Sequence, residues 1–413
     1  MKRRSATVFL IMIILTLIPR VFIYAEKSPD NKEKIEKAVN VFRKVLEHIN
    51  EDFIEKPDDI EKCGYKIING GMKLCPGDTH SYLVGPPEQR RVAEDFDGRF
   101  SGPGFEFNLK QTNDGRQFVI ISTSTYAREA GFAIGDILVG ISTAAPFSEP
   151  ILFEGKLKNE ATDLLRGNTG TEIAIIVKRD DVFKNIIIKR VVIEIETIFD
   201  FRKVRQHLGY IAISEFGANT TNEFNKAVSE LQTLDSENSK KMKALILDLR
   251  NNRGGYLDNC LDVFGLLSNN SEVPLYLIGR NGIPEPKFSN VYNRGKYADL
   301  KIVVIVNKES ASGSEILAGL LKEDGAPIIG ERTFGKGSVQ IYYYNLPNGV
   351  GLHLTTQKYY LTKNMLAVDG KGINPTIEIK NRELKYGEEK LPEAEDIQLQ
   401  KAIEVAEELI KTK

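Results

Sequence analysis

The sequence predicts a multidomain α/β protein of 413 residues. It reads as a small N-terminal helical region, a β-rich middle part, and an α/β core with a largely parallel sheet. Three observations predict this. From Leu208 onward, apolar strand-like runs alternate with helical periodicities. Between about Phe100 and Ile193, short strands are separated by glycine-rich turns. Ahead of both, Ile35, Val39, Phe42, Val45, Leu46 and Ile49 recur at helical spacing between Asn31 and Ile49.

Taken in order, residues 1–25 read as an export signal or N-terminal anchor. Lys2-Arg-Arg4 precedes an apolar run from Val8 to Ile18, and Pro19-Arg20 interrupts it short of the ~20 apolar residues of a membrane span. Ala25 offers a cleavage point, but Ile23 is a poor small-residue site, so an uncleaved membrane tether stands as the alternative. Export places the protein in the periplasm or cell envelope. Residues 26–98 form the helical region: the Asn31 to Ile49 helix, a second from Pro57 through Ile67 and Met72, then a loop-rich passage marked by Pro76-Gly77 and Pro86-Pro87.

Residues 99–193 hold about six strands and two short helices, around Tyr126 to Ala130 and Ala161 to Leu165. Residues 194–390 alternate strand (Tyr210 to Ile213), helix (Thr221 to Leu234), strand (Ala244 to Leu249), helix (Leu257 to Leu267) and strand (Leu275 to Ile278). Strand (Lys301 to Val306), helix (Ser314 to Leu321) and strand (Pro327 to Ile329) follow, then long β-rich stretches. Residues 391–413 carry a final helix, Asp396 to Ile410.

Charge and cysteine content narrow the function classes. Lys+Arg 56 against Asp+Glu 57 leaves a formal charge of −1, without the basic excess of a nucleic-acid-binding chain. Cys63, Cys75 and Cys260 show no metal-binding spacing, and the four histidines are scattered, so no metal or other cofactor is expected. In an oxidising compartment Cys63 and Cys75 could close a small loop; three unpaired thiols, with Cys260 buried on a helix, is the other reading.

Three segments carry chemistry. The strand Lys301 to Val306 runs into Ser310-Ala-Ser-Gly-Ser-Glu315, a small-residue turn opening an apolar helix. A hydroxyl there sits where helix N–H groups point outward and stabilise developing negative charge. Ser312-x-x-Glu315 is equally a capping-box pattern. Leu247-Asp-Leu-Arg-Asn-Asn-Arg-Gly-Gly255 ends a strand in a turn whose glycines can present N–H groups to an anion. Phe334-Gly-Lys-Gly337, with Gln340 beyond, supplies a lone lysine that in isolation would be a solvated turn residue. To act as a base near neutrality it must fall by ~3 units from about 10.4, or about 4 kcal/mol, which burial can supply.

In this order the three segments resemble the carboxyl-terminal processing proteases, also called tail-specific proteases, and the likeness runs from Val41 to Leu409. It takes in Gly131-Phe-Ala-Ile-Gly-Asp136 and the stretch from Tyr359-Tyr to Gly372-Ile-Asn-Pro375. The resemblance implies a serine endopeptidase with a Ser–Lys dyad, a crotonase/ClpP-like protease core and a PDZ domain over residues 99–193. The family's nucleophile falls on Ser312, with Ser310 and Ser314 in supporting roles. Its lysine falls on Lys336, and the glutamine that orients the lysine falls on Gln340. The oxyanion donors fall on Gly313 and on Gly254 or Gly255. A Ser-His-Asp triad is the weaker alternative, because neither His80 nor His353 has a signature tying it to a serine.

The same resemblance makes Gly102, Pro103, Gly104 and Phe105 the loop that grips a substrate's C-terminal carboxylate, with the peptide adding as a strand. Partners are then protein or peptide substrates held by their tails. The N-terminal helices could pair subunits in a homo-oligomer or pack on the core. Departures are Pro103, which lacks an N–H; a Ser312-to-Lys336 spacing of 24 residues, one short of the family's; Gly313 for alanine; Arg253 before Gly254; and Thr376 for aspartate. From another class, a catalytically silent PDZ scaffold that binds protein tails is the rival. A peptidase latent until a partner moves the PDZ domain is a variant of the main reading.

Overall fold

The computed structural model describes residues 29–51, 59–74, 79–112, 115–143, 149–233, 241–270, 274–362, 365–383 and 391–412. The signal segment and Cys75 lie outside them. Two compact units divide the chain, Met1–Ile67 and Ile68–Lys413. In the first, the helix Pro29–Glu51 carries Ile35, Val39 and Val45 as exposed residues. No helix among the described residues is long and apolar enough to cross a membrane.

The second unit is centred on a six-stranded sheet in the order Ile198–Arg205, Leu208–Ile213, Ala244–Asp248, Lys301–Val306, Ile328–Gly330, Ile377–Glu378. The first pairing is antiparallel and the remaining four are parallel. Strands covered on both faces need no polar alternation, which is why Ala244–Asp248 and Lys301–Val306 read as nearly unbroken apolar runs. Their side chains still alternate in destination. Leu245, Leu247, Ile302, Val304 and Val306 pack with helices Thr220–Thr233, Leu257–Leu267 and Gly313–Glu323. Ala244, Ile246, Val303 and Ile305 pack with the C-terminal helix Ile397–Lys411.

Adjacent parallel strands deliver two turns to the same sheet edge. Ala244–Asp248 feeds the Leu249 to Gly255 turn, and Lys301–Val306 feeds the turn that holds Ser312. The carboxyl ends of neighbouring parallel strands are where open α/β sheets bind ligands.

A second sheet closes over this edge. Its hub is Val350–Leu361, which pairs with Tyr82–Val84, Ser338–Leu346, Leu275–Gly279 and Leu366–Ala367. Two of its features depart from the sequence reading. Pro86-Pro87 does not mark a loop: it opens the helix Pro86–Asp97, because the missing proline N–H groups are unneeded in a first turn. Pro284–Lys287 is a strand despite two prolines, because it lies at the sheet edge, where an absent N–H costs no ladder bond.

The middle part is a separate antiparallel sheet of six strands over Phe105–Thr112, Gly115–Thr123, Ile137–Ser142, Ile151–Leu152, Glu172–Arg179 and Val182–Lys189. Its core of Phe118, Ile120, Ile141, Ile173 and Val177 is capped by Ala127, Ala161 and Leu165 from two short helices. Arg190, 5% exposed, ends the helix Lys158–Leu165 by donating to the carbonyls of Leu164 and Leu165, both at 2.8 Å. A cation there complements the helix dipole.

The C-terminal helix is locked by charge as well as by apolar packing. Arg250 donates to Asp248 at 2.6 Å and to Asp396 at 2.9 Å, and Asp396 also accepts from Asn381 and caps Leu399. Burial opposes the charge of Asp396, but Arg250 and Asn381 win and hold its carboxyl below the ordinary value of 3.8. Removing one member leaves a buried cation short of its partner. Asp396→Ala is therefore expected to cost about 3 kcal/mol in denaturant unfolding at neutral pH. A carboxyl with a depressed pKa stabilises above its unfolded value and loses that effect as pH falls through its folded value. The gap between wild type and Asp396→Ala should narrow in acid below about pH 4; a gap constant with pH would refute the assignment.

Candidate active site

Ser312 immediately precedes the helix Gly313–Glu323 and has φ 54° and ψ −113°. A non-glycine residue rarely adopts such a backbone, which costs on the order of 1–3 kcal/mol and persists only where the surroundings enforce it. The enforcement is visible on both sides. Ser310, fully buried, donates its hydroxyl to the Leu249 carbonyl at 2.8 Å, and Ser314 donates to the Asn252 carbonyl at 2.8 Å. Ala311 N–H adds a bond to the same Asn252 carbonyl at 3.0 Å. The serine turn is thus stitched to the glycine turn of the neighbouring strand.

Gly254 lies against this stitch. Its φ is +103°, and a Cβ there would fall 2.7 Å from the Ser312 Cβ, so no other residue fits. Its N–H, however, donates to Asn252 Oδ1 at 2.8 Å, and its carbonyl accepts from Phe216 N–H at 2.9 Å. That corrects the expectation for Gly254: its N–H is already used inside the turn. Gly255 and Gly313 line the cavity that holds Ser312, and Gly313 is the first residue of its helix, where N–H groups have no intrahelical acceptor.

Glu315 joins the serine to the lysine. It is fully buried and accepts four hydrogen bonds. Its Oε2 takes the N–H of Ser312 and the N–H of Lys336, both at 2.8 Å. Its Oε1 takes the Thr333 hydroxyl and the Gly335 N–H, both at 2.6 Å. Tyr359, 1% exposed, matches this from the carbonyl side, donating to the Lys336 carbonyl at 2.8 Å and leaning on the Ser312 carbonyl at 3.4 Å. One carboxylate and one phenol therefore fix both polar backbone groups of Ser312 and of Lys336. The capping-box reading of Ser312-x-x-Glu315 is correct for its glutamate, which reaches back to the Ser312 N–H. The pattern did not reveal that the same carboxylate also holds the lysine loop. Beside Lys336, a Cβ on Gly337 would fall 2.5 Å from the Asp369 backbone nitrogen, which explains that flanking glycine.

Ser312, Gly313, Gly255, Lys336 and Gln340 line one cavity of about 660 Å³. Both Ser312 and Lys336 are half-buried. Gln340 donates its amide Nε2 to Ser338 Oγ at 2.8 Å and to Thr355 Oγ1 at 3.0 Å, which leaves Oε1 as its accepting end. His80 and His353 line the same cavity. Burial first, and the charge of Lys336 second, push His353 down to about 4, far too weak a base for proton abstraction near neutrality. Cys260 is buried in the helix Leu257–Leu267, and burial raises its thiol pKa, which keeps it inert. Among the described residues, no group of His, Cys, Asp and Glu comes together to hold a metal ion.

The residues expected to grip a tail lie elsewhere. Gly102 ends the strand Arg99–Gly102, Gly102 to Gly104 are buried, and Phe105 starts the strand Phe105–Thr112. That strand is the first in its sheet, so its outer edge is unpaired among the described residues. The helix Lys158–Leu165 flanks it, with Lys158 donating to Asn108 at 2.9 Å.

The chain is similar to known peptidases. The model of peptidase family S41 matches residues 207–379, a span that contains the serine turn, the lysine loop and Glu315. The carboxy-terminal processing protease CtpB of Bacillus subtilis is 32% identical over 84% of this chain and 68% of its own. The carboxy-terminal-processing protease of Bartonella bacilliformis is 31% identical over 86% of this chain and 77% of its own. Among solved structures, the photosystem II D1 C-terminal processing protease aligns at 21% identity and a TM-score of 0.45, over 83% of this chain and 92% of that one. The chain belongs to the carboxy-terminal processing proteases of peptidase family S41 and is a serine-type peptidase that acts on protein substrates.

Proposed function

We propose that Ser312 is the nucleophile and Lys336 the general base of an endopeptidase that cleaves exported or envelope proteins near their C-termini. The observation that carries this reading is the shared fixation of the two residues by Glu315 and Tyr359 at the wall of one cavity. Neutral Lys336 Nζ takes the Ser312 hydroxyl proton as Oγ attacks the substrate carbonyl carbon. The carbonyl oxygen becomes an oxyanion, and the N–H groups of Gly313 and Gly255 receive it. Such donors usually carry the largest single electrostatic contribution. The Lys336 ammonium then gives its proton to the leaving amine, and the C–N bond breaks. Water hydrolyses the acyl-enzyme with the same base. Gln340 Oε1 accepts from the amine and directs it without adding a negative charge, which would favour the ammonium.

Residues 99–193 fit a PDZ domain that recruits the substrate tail. The unpaired edge of Phe105–Thr112 beside the helix Lys158–Leu165 offers the geometry of strand addition. The remaining divisions of this reading are a helical region over 26–98, whose residues from Ile68 on, the strand Tyr82–Val84 included, belong to the second unit, the protease core over 194–390, and the C-terminal helix over 391–413.

Turnover of an unfolded reporter tests the dyad. Ser312→Ala is expected to abolish it, and Lys336→Ala to lower it about 100- to 10,000-fold. Near-normal turnover by Lys336→Ala would remove the assigned base. Tyr359→Phe keeps the ring's volume but deletes both carbonyl contacts. It should lower kcat/KM about tenfold, with a stability loss of only about 1 kcal/mol. Unchanged kcat/KM in Tyr359→Phe would mean that the fixation of the two backbones does not matter for the reaction.

A further inference from the structure

Three adjacent strands of the sheet that closes the cavity place an aromatic ring at the same level. Tyr82 stands opposite His353, and His353 stands opposite Tyr342. Their rings touch in sequence: Tyr82 and His353 stack at 4.7 Å and 7°, and His353 and Tyr342 meet at 4.3 Å and 47°. Tyr344, two residues on and so on the same face, meets Tyr342 edge-on at 4.1 Å. All four line the cavity that contains Ser312 and Lys336. A core cluster would be buried, yet Tyr82 is 37% and Tyr344 45% exposed.

We propose that this aromatic wall is a specificity subsite that takes an aromatic side chain of the protein substrate within about three residues of the scissile bond. The inference rests on the reading of Ser312 and Lys336 as the reacting pair.

Position supports it. Gln340 precedes Tyr342 by two residues, Thr355 follows His353 by two, and Gln340 and Thr355 are hydrogen-bonded to each other. The wall therefore begins about 7 Å along the strand from Gln340, which lines the same cavity as Lys336, a span of two extended residues. Charge selects the occupant. Tyrosine faces can hold either a cation or another ring. Of the other charged residues on the cavity wall, Lys287 stands with Asp258 and Arg253 is paired with Glu309, so the wall has no excess of negative charge to hold a cationic guest. His353 is uncharged near neutrality. An aromatic side chain gains both apolar burial and edge-to-face contact, whereas an aliphatic one gains only the burial.

The test uses the full chain and a matched peptide series. Each position within three residues of the cleaved bond is set in turn to Phe, Trp, Leu, Ala or Arg. At one position, kcat/KM for Phe or Trp should exceed that for Ala about tenfold and exceed that for Arg by more. Tyr82→Leu and Tyr344→Leu, both at partly exposed sites that tolerate substitution, should each cut the Phe-to-Ala ratio at least threefold. A second readout needs no turnover. The chain has no tryptophan, so in Ser312→Ala the emission of a Trp-bearing peptide reports its own environment. It should shift to the blue on binding, and less so in the Tyr82→Leu double variant. A Phe-to-Ala ratio within twofold at every position, or a ratio that neither variant moves, overturns the subsite. Turnover that survives Ser312→Ala would instead overturn the catalytic reading; the Trp emission would then decide the subsite alone.

Discussion

The buried carboxylate of Glu315 is the constraint on which the site depends. Its two oxygens receive the N–H groups of Ser312, Gly335 and Lys336 and the hydroxyl of Thr333. Hydrogen bonds to a charged acceptor are stronger than neutral ones, and leaving such a group partnerless in the interior is costly. The carboxylate therefore cannot be satisfied unless the serine turn and the lysine loop are both in place. Tyr359 repeats the requirement from the carbonyl side. The strained backbone of Ser312 is one outcome: the bonds around it over-determine a conformation that an isolated serine would leave.

That clamp is built on the sheet beneath it. Parallel strands Ala244–Asp248 and Lys301–Val306 end side by side, so the glycine turn and the serine turn leave the sheet as neighbours. Ser310, Ser314 and Asn252 then join them through buried bonds. The lysine arrives from a different direction, on the loop before Ser338–Leu346, and that strand also carries Gln340 and the aromatic wall. Lys336, Gln340 and one cavity wall are thus carried by one strand and the loop that leads into it.

Much of this was legible in the sequence, for identifiable reasons. The doubly covered strands were readable because burial on both faces leaves them nearly free of polar residues. The helix Leu257–Leu267 and the strand Lys301–Val306 were read to the residue. The serine, lysine and glutamine stood out only because three motifs occur in one order. Elements whose local signal is weak or reversed were missed. Pro86-Pro87 reads as a breaker unless the helix begins at it, and Pro284 and Pro286 forbid a strand unless it lies at an edge. Gly254 looked like an anion donor because glycines often are; only coordinates reveal that Asn252 has taken its N–H.

By itself, the sequence determined the class of fold and the family, and it singled out Ser312, Lys336 and Gln340 as candidates, because periodicity and side-chain chemistry are local properties. The tertiary structure decided which of those groups share a cavity, which glycine N–H groups remain unspent within it, and that one glutamate from a helix cap also holds a loop about twenty residues away. It also placed Tyr82 against His353, far apart in the chain, and His353 against Tyr342. Strand register across a sheet sets such meetings, and register is fixed by long-range pairing that no short segment encodes.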